Sequence, residues 1–409
     1  MNAEPRGASA SEDRSHRAAS TGPTVIEGAA HGAERADELL LGTAREAHQA
    51  IARRIFDTLD LATPAMLGIN RVVRTAHDGV SAGVYGVMGA SARGLARGLR
   101  ELDRHQTAPR LEATASGRLL LAAVNGLTGD KLRDEGSQMA ISMAVRHRGA
   151  DVALTGEGIA AAYPAATGDV VVFVHGLCES EDFWWRGSDE QGGSYGDRLA
   201  ADAGWSPVYL RVNTGLPIAE NGAALAGLLD DLVEVWPTRV RRLVLVGHSM
   251  GGLIIRAACV VTTPAGTPWT ELVTDVVTLG TPHLGAPLEQ VVDLTTKLLG
   301  RVPEAAPFGR IFEYRSRGVL DLRSGLARDV ENLPHARYRL VGATLAASPR
   351  HPVSETAGDL LVRWPSAIGR PRRGPEMFPG AETLHVPGAD HFDLLNHPDV
   401  YAAIRRWLA

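Results

Sequence analysis

Leu243-Val244-Leu245-Val246 runs without a break into Gly247-His248-Ser249-Met250-Gly251-Gly252, and Leu253-Ile254-Ile255 follows at once. An unbroken apolar run of this length suits a strand covered on both faces. The glycines around Ser249 mark a sharp turn, and the second apolar segment reads as a helix. Other runs repeat the strand pattern: Val170 to Val174, Val276 to Leu279, Tyr338 to Val341 and Thr383 to Val386. Helical stretches such as Glu220–Trp236, Leu253–Val261 and Pro398–Leu408 lie between or after them. Strands alternating with helices predict an α/β fold, a mostly parallel sheet with flanking helices.

The turn at Ser249 carries chemistry. A serine on a tight strand-to-helix turn stands above the sheet edge in strained backbone, where side chains two residues either side would collide. Gly247 and Gly251 fit those positions. Ser249 is the candidate nucleophile. A tetrahedral intermediate needs two N–H donors. The amide of Met250 is one. The loop His175-Gly176-Leu177-Cys178 after an earlier strand supplies the other, from Leu177, with Cys178 as second candidate. Cys178 is also weighed as a rival nucleophile, but it is not on such a turn.

A serine needs a base, and the base an orienting carboxylate. Six histidines follow Ser249: His283, His335, His351, His385, His391 and His397. His391 is favoured because it lies between the last strand and the C-terminal helix, at the same sheet edge. His385 falls within the strand and His397 at a helix start. The acid belongs after the next-to-last strand. Asp359 meets that condition, with Glu355, Asp390 and Asp393 as rivals, and Asp390 reads as ordering its own loop.

With these residues in place, the chain resembles the α/β-hydrolase superfamily over residues 165–409. More narrowly it is similar to bacterial lipases and esterases, and to deacylases acting on inositol-linked acyl chains. The motifs are Val174-His175-Gly176-Leu177, Gly247 to Gly252, Gly280-Thr281-Pro282-His283-Leu284-Gly285-Ala286-Pro287, Gly358-Asp359-Leu360-Leu361-Val362 and Asp390-His391-Phe392. The resemblance implies the α/β-hydrolase fold, a catalytic set of Ser249, Asp359 and His391, and an oxyanion hole of Leu177 and Met250. It departs at Leu360, where such lipases often have glycine. It also implies a lid in the long connection 288–335, giving an apolar pocket for an acyl chain. The alternative is a surface excursion. Phe183-Trp184-Trp185 either lines that pocket or packs beneath it.

The expected activity is cleavage of a carboxylic ester, of a small molecule or a lipid, through an acyl-enzyme on Ser249. An acyltransferase using the same intermediate and a non-catalytic binding scaffold are the alternatives. No cofactor is called for, and His283 and His335 lack metal-ligand spacing. A formal net charge of -5 gives no reason to expect nucleic acid. With two cysteines, no CxxC, no signal-like segment and no membrane-length apolar run, a cytoplasmic protein is the expectation.

Residues 1–30 read as a disordered tail. Residues 31–118 read as a helical region, with Ile51, Ile55 and Leu59 on one face. That region is either a hairpin docked on the main domain or a contact for a membrane surface or a partner. Residues 107–118 read as a linker, and Leu119 to Val124, before Asn125-Gly126, as a β-element opening a hydrolase domain at 119–409. Oligomeric state is not legible.

Overall fold

The computed structural model describes residues 23, 24, 28, 110–262, 268–286, 316–325 and 330–409. Nearly all of the tail, all of the N-terminal helical region up to 109, and the first part of the expected lid, 288–315, lie outside the described residues.

The strands are β1 (Ala144–His147), β2 (Ala150–Asp151), β3 (Asp169–Val174), β4 (Ser206–Arg211), β5 (Arg242–His248), β6 (Val273–Leu279), β7 (Arg337–Thr344) and β8 (Glu382–Pro387). They form one sheet in the order β2-β1-β4-β3-β5-β6-β7-β8. From β4 to β8 every pairing is parallel, while β1 is antiparallel to both β2 and β4. The helices are α1 (Ala115–Asp134), α2 (Gly156–Ala162), α3 (Tyr195–Ala203), α4 (Ile218–Val235), α5 (Met250–Cys259), α6 (Arg317–Ser324), α7 (Pro352–Ala357), α8 (Trp364–Ala367) and α9 (Pro398–Leu408).

Strand alternation splits the core in two. Val170, Val172, Val174, Leu243 and Leu245 join the cluster that includes α1, α4 and α5. Val171, Phe173, Val244 and Val246 join the cluster that includes α3 and α9. Covering both faces is what the unbroken apolar runs require. Full burial of each such side chain contributes roughly 1.5–3 kcal/mol. Helix ends are closed locally. Ser194 and Asp197 form a reciprocal cap at α3. His397 accepts from Asp399 N–H at the start of α9, with Pro398 in the first turn.

Two readings of the sequence are corrected. Leu119 to Val124 and the Asn125-Gly126 that follows are not a β-element and turn but the middle of α1, and part of the expected linker forms its first turn. Thr114 caps the helix, accepting from Gly117 N–H at 3.1 Å. Asn125 is buried and bonds within the protein, donating to Leu121 O and Met139 O and accepting from Ile141 N–H. Gly126 leaves room for Cys178, whose Sγ would collide with a Cβ there. The expected boundary at 119 thus falls inside a helix. Strand β4, and the β1–β2 hairpin, carried no recognised signal. Pro207 and the charged Arg146 and Arg211 interrupt the apolar pattern, and the structure pairs those arginines with Glu112, Asp151 and Glu181.

The chain order places β3 centrally, with β4 on one side and β5 on the other. The loops leaving β3 and β5 therefore diverge at one edge, the crevice in which open α/β sheets bind ligands.

Candidate active site

Ser249 links β5 to α5 with φ 53° and ψ -123°. A non-glycine residue holds such a conformation only when its surroundings enforce it. Its amide donates to Leu279 O on β6 at 2.8 Å, which fixes the turn against the neighbouring strand. A Cβ on Gly247 would lie 2.5 Å from Gly252 N, and one on Gly251 would collide with Val174 O. The two glycines are where the sequence pattern requires them, for the reason of close approach.

The loop after β3 faces this turn. A Cβ on Gly176 would lie 2.8 Å from Ser249 Cβ. His175 donates from Nδ1 to Gly176 O at 2.9 Å and accepts Val212 N–H on Nε2 at 3.0 Å. That pattern needs a neutral ring, and burial pushes the imidazole below its ordinary value. Of the amides considered for the second donor, Cys178 N–H is committed to Thr214 Oγ1 at 3.1 Å. Those of Leu177 and Met250 make no hydrogen bond among the described residues.

His391 and Asp359 meet as a buried pair. His391 Nδ1–H donates to Asp359 Oδ2 at 2.8 Å, and His391 N–H to Asp359 O at 3.0 Å. The other carboxylate oxygen accepts Leu361 N–H at 3.0 Å and Val362 N–H at 2.7 Å. Burial alone lowers the imidazole pKa, but the Asp359 charge and hydrogen bond outweigh it and hold the ring above its ordinary value. The ring lies against Gly280, at φ 60°, where a Cβ would come 2.9 Å from Cε1. Gly280 directly follows Leu279, the residue that accepts the Ser249 amide. Imidazole and serine thus flank the same end of β6. His391 Nε2 is buried and has no hydrogen-bond partner among the described residues.

The rival carboxylates do other work. Asp390 Oδ1 accepts Phe392 N–H and Asp393 N–H, and Asp393 Oδ2 accepts Asp390 N–H, so both tie their own loop. Glu355 belongs to α7 and lines a cleft of about 890 Å³ beyond the loop 284–286. Leu360 stands at φ 82° with its side chain exposed, where glycine is free of strain. Leu360→Gly is expected to stabilise the protein by about 0.5–1 kcal/mol, the relief of left-handed strain less the entropy cost of glycine. The check is a rise in thermal midpoint, without change in m-value on denaturant titration.

The other histidines singled out in the sequence make their contacts elsewhere. His385 contacts Thr344 Oγ1 at 2.8 Å, His335 contacts Thr270 O at 3.0 Å, and His283 contacts Thr278 Oγ1 at 3.3 Å. His351 begins the turn into α7 and His397 caps α9. No group of three or more metal-ligand side chains gathers among the described residues. Trp184 packs beneath the site on Phe173, with ring centroids 4.9 Å apart. Trp185 donates to Asp197, and Phe183 lies against Phe392 beside His391. No helix among the described residues is long and apolar enough to cross a membrane.

This arrangement, on this sheet, is the α/β-hydrolase fold: a serine in strained backbone after β5, a glycine-containing loop after β3, and a histidine after the last of the described strands. Part of the chain also carries a family signature. Residues 224–305 match the PGAP1-like alpha/beta domain. That PGAP1-like segment spans most of α4, β5, the Ser249 turn, α5 and β6. None of the curated proteins matches the chain. Among solved structures it is similar to a mature lipase of Bacillus licheniformis, at 22% identity over 60% of this chain and 93% of the other, TM-score 0.41. It is also similar to a carboxylesterase of Bacillus subtilis, at 12% identity over 70% and 98%, TM-score 0.38. A lipase-esterase related protein of Clostridium acetobutylicum follows, at 13% over 59% and 96%, TM-score 0.38.

Sequence reasoning passed over Glu179 and the side chain of His248, both fully buried between the loops just described. The one available signal was position: a carboxylate three residues after Gly176, and an ionisable residue beside the elbow serine.

Proposed function

We propose that this protein hydrolyses carboxylic esters through an acyl-enzyme on Ser249. The observation that carries the reading is the open valence of His391 Nε2. A buried ring nitrogen left without a partner costs about 1–3 kcal/mol. Here it belongs to a ring whose other nitrogen is locked by Asp359, beside the strand end that holds Ser249.

In the first half-reaction Ser249 Oγ attacks the carbonyl carbon while its proton passes to His391 Nε2. The oxygen that gains charge is held by the free amides of Leu177 and Met250, at the N-terminus of α5. Collapse breaks the ester C–O bond, and the leaving alcohol takes the proton from His391. Water then attacks the acyl-enzyme, gives a proton to His391, and the carboxylic acid departs as that proton returns to Ser249. Asp359 stays ionised and fixes the tautomer. Small-molecule esters and lipid esters both remain within this scheme, because fold does not select a substrate.

Labelling with a fluorophosphonate, followed by peptide mapping, tests the assignment. The expected result is a single modified peptide carrying Ser249, with turnover of p-nitrophenyl esters whose chain-length profile then defines the acyl group. Modification at another serine, or none with any ester turnover unaffected, would defeat it.

A further inference from the structure

We infer that Glu179 and His248 are a buried positioning pair that locks the oxyanion loop to the loop carrying the base, an inference that rests on the esterase reading. Both side chains are buried, at 2% and 0% exposure. Glu179 Oε2 accepts Gly176 N–H at 2.7 Å. His248 Nδ1 stands 2.9 Å from Glu179 Oε1 and 3.0 Å from Oε2. On the far side of the ring, His248 Nε2 is 3.2 Å from His391 O. The path runs from the backbone one residue before Leu177, through two side chains, to the backbone of His391 itself.

The hydrogen count distinguishes this pair from its neighbour His175. His175 faces one acceptor and one donor, which a neutral ring satisfies. His248 faces a carbonyl on one nitrogen and a carboxylate on the other. Two hydrogens must therefore lie on its two contacts, one on Nε2 and one between Nδ1 and the carboxylate. The pair as a unit carries no net charge, which is why it survives burial. Burial works against the Glu179 carboxylate. The His248 charge and hydrogen bond, with the Gly176 amide, overcome that and hold its pKa below the usual range.

The ring of His248 is also wedged sterically. Its centroid lies 4.8 Å from that of His391, 6.0 Å from Phe392 and 6.4 Å from Trp184. A Cβ at Gly176 would come 2.8 Å from Glu179 Oε1, so the carboxylate is pressed against the loop backbone. Loss of the pair releases both loops by tenths of an ångström. Donors aimed at a transition state are sensitive to displacement on that scale. The hydrogen bonds of both side chains run to backbone groups and to each other, so the effect is expected on kcat more than on KM.

Placement rather than charge is the test. In Glu179→Gln the amide oxygen still accepts Gly176 N–H, and the NH2 group donates to a neutral His248 whose Nε2–H still binds His391 O. Glu179→Ala deletes the link, and His248→Asn removes its reach to His391. We expect kcat to fall about 10- to 100-fold in E179A and H248N with KM within threefold, and E179Q to stay within about fivefold of the parent. Hydrogen exchange by mass spectrometry, in the Ser249→Ala background, should rise together in peptides covering 174–180 and 388–396 for E179A but not for E179Q. The inference is overturned if folded E179A and H248N keep kcat within twofold, if E179Q is as slow as E179A, or if exchange rises only in 174–180. Should E179A not fold, H248N and E179Q still decide the matter. Absence of parent turnover and of Ser249 labelling would instead defeat the esterase reading, leaving the exchange result to decide whether the two loops are linked.

Discussion

Ser249→Ala is expected to lower ester turnover by about 10⁴-fold or more, with the protein still folded and still able to bind ester. The size follows from the proposed role: with the nucleophilic oxygen gone, oxyanion stabilisation and binding alone would remain. The substitution removes one oxygen from a residue whose backbone, not side chain, is held by the neighbouring strand. The thermal midpoint should therefore move little. Alanine does retain the strained φ of 53°, so the turn is not relieved. The measurement is kcat and KM on a short-chain p-nitrophenyl ester beside fluorophosphonate labelling of parent and variant. Residual turnover within tenfold of the parent would place the chemistry elsewhere.

Asp359→Asn should cost about 10³–10⁴-fold in kcat, through a wrong tautomer and not through lost structure. Asp359 Oδ1 is fixed by two amides, Leu361 and Val362. An asparagine keeps its carbonyl oxygen there and turns its NH2 toward His391 Nδ1. Donor then faces donor unless the ring moves its hydrogen to Nε2, and Nε2 can no longer accept the Ser249 proton. The pH dependence gives a second handle. The base must be neutral to act, so kcat/KM should rise with pH through a midpoint above the ordinary histidine value of about 6.5, because Asp359 raises the His391 pKa. Stability runs the other way. A raised folded-state pKa contributes stability fully present below the unfolded value, and that contribution is lost as pH rises through the folded one. In D359N the acid limb of the small residual activity should move down, as the raising charge is gone. A limb that stays in place would assign it to another group.

The elements most legible in the sequence are those whose side chains face apolar surroundings on both sides. β3, β5 and β6 show as nearly unbroken apolar runs because both sheet faces are covered there. β7 and the edge strand β8 show more weakly, through Tyr338, Leu340 and Val341 and through Leu384 and Val386. Helix α9 was legible to the residue, since Pro398 and the chain after it carry start signals and a clean apolar face. β4 and the β1–β2 hairpin were not. Their arginines are neutralised by residues distant in sequence, such as Glu112 and Glu181, and nothing local announces such pairing. Helix α1 was misread because Asn125-Gly126 carries the local signature of a turn. Buried hydrogen bonds to Asn125 and the approach of Cys178 overrode that preference.

At the candidate site, chain order and turn chemistry point to Ser249, Asp359 and His391, and the structure brings the last two into contact. Leu177 and Cys178 were separable only once Thr214 was seen to occupy one of the two amides. Glu179 and His248 lay beyond reach for a plainer reason. The atoms they bind include backbone groups, and backbone groups leave no trace in a sequence.

The helix from Ala115 to Asp134 has a practical corollary. Gly126 abuts Cys178, and Gly129 leaves room for Asn213, so this segment forms the wall behind the loop 175–178 rather than a preface to the sheet. Trimming the chain to residues 165–409 would strip that wall and bare an edge of β4 that β1 now covers. Any shortened version intended for crystals or spectroscopy has its sensible starting point upstream of Arg110.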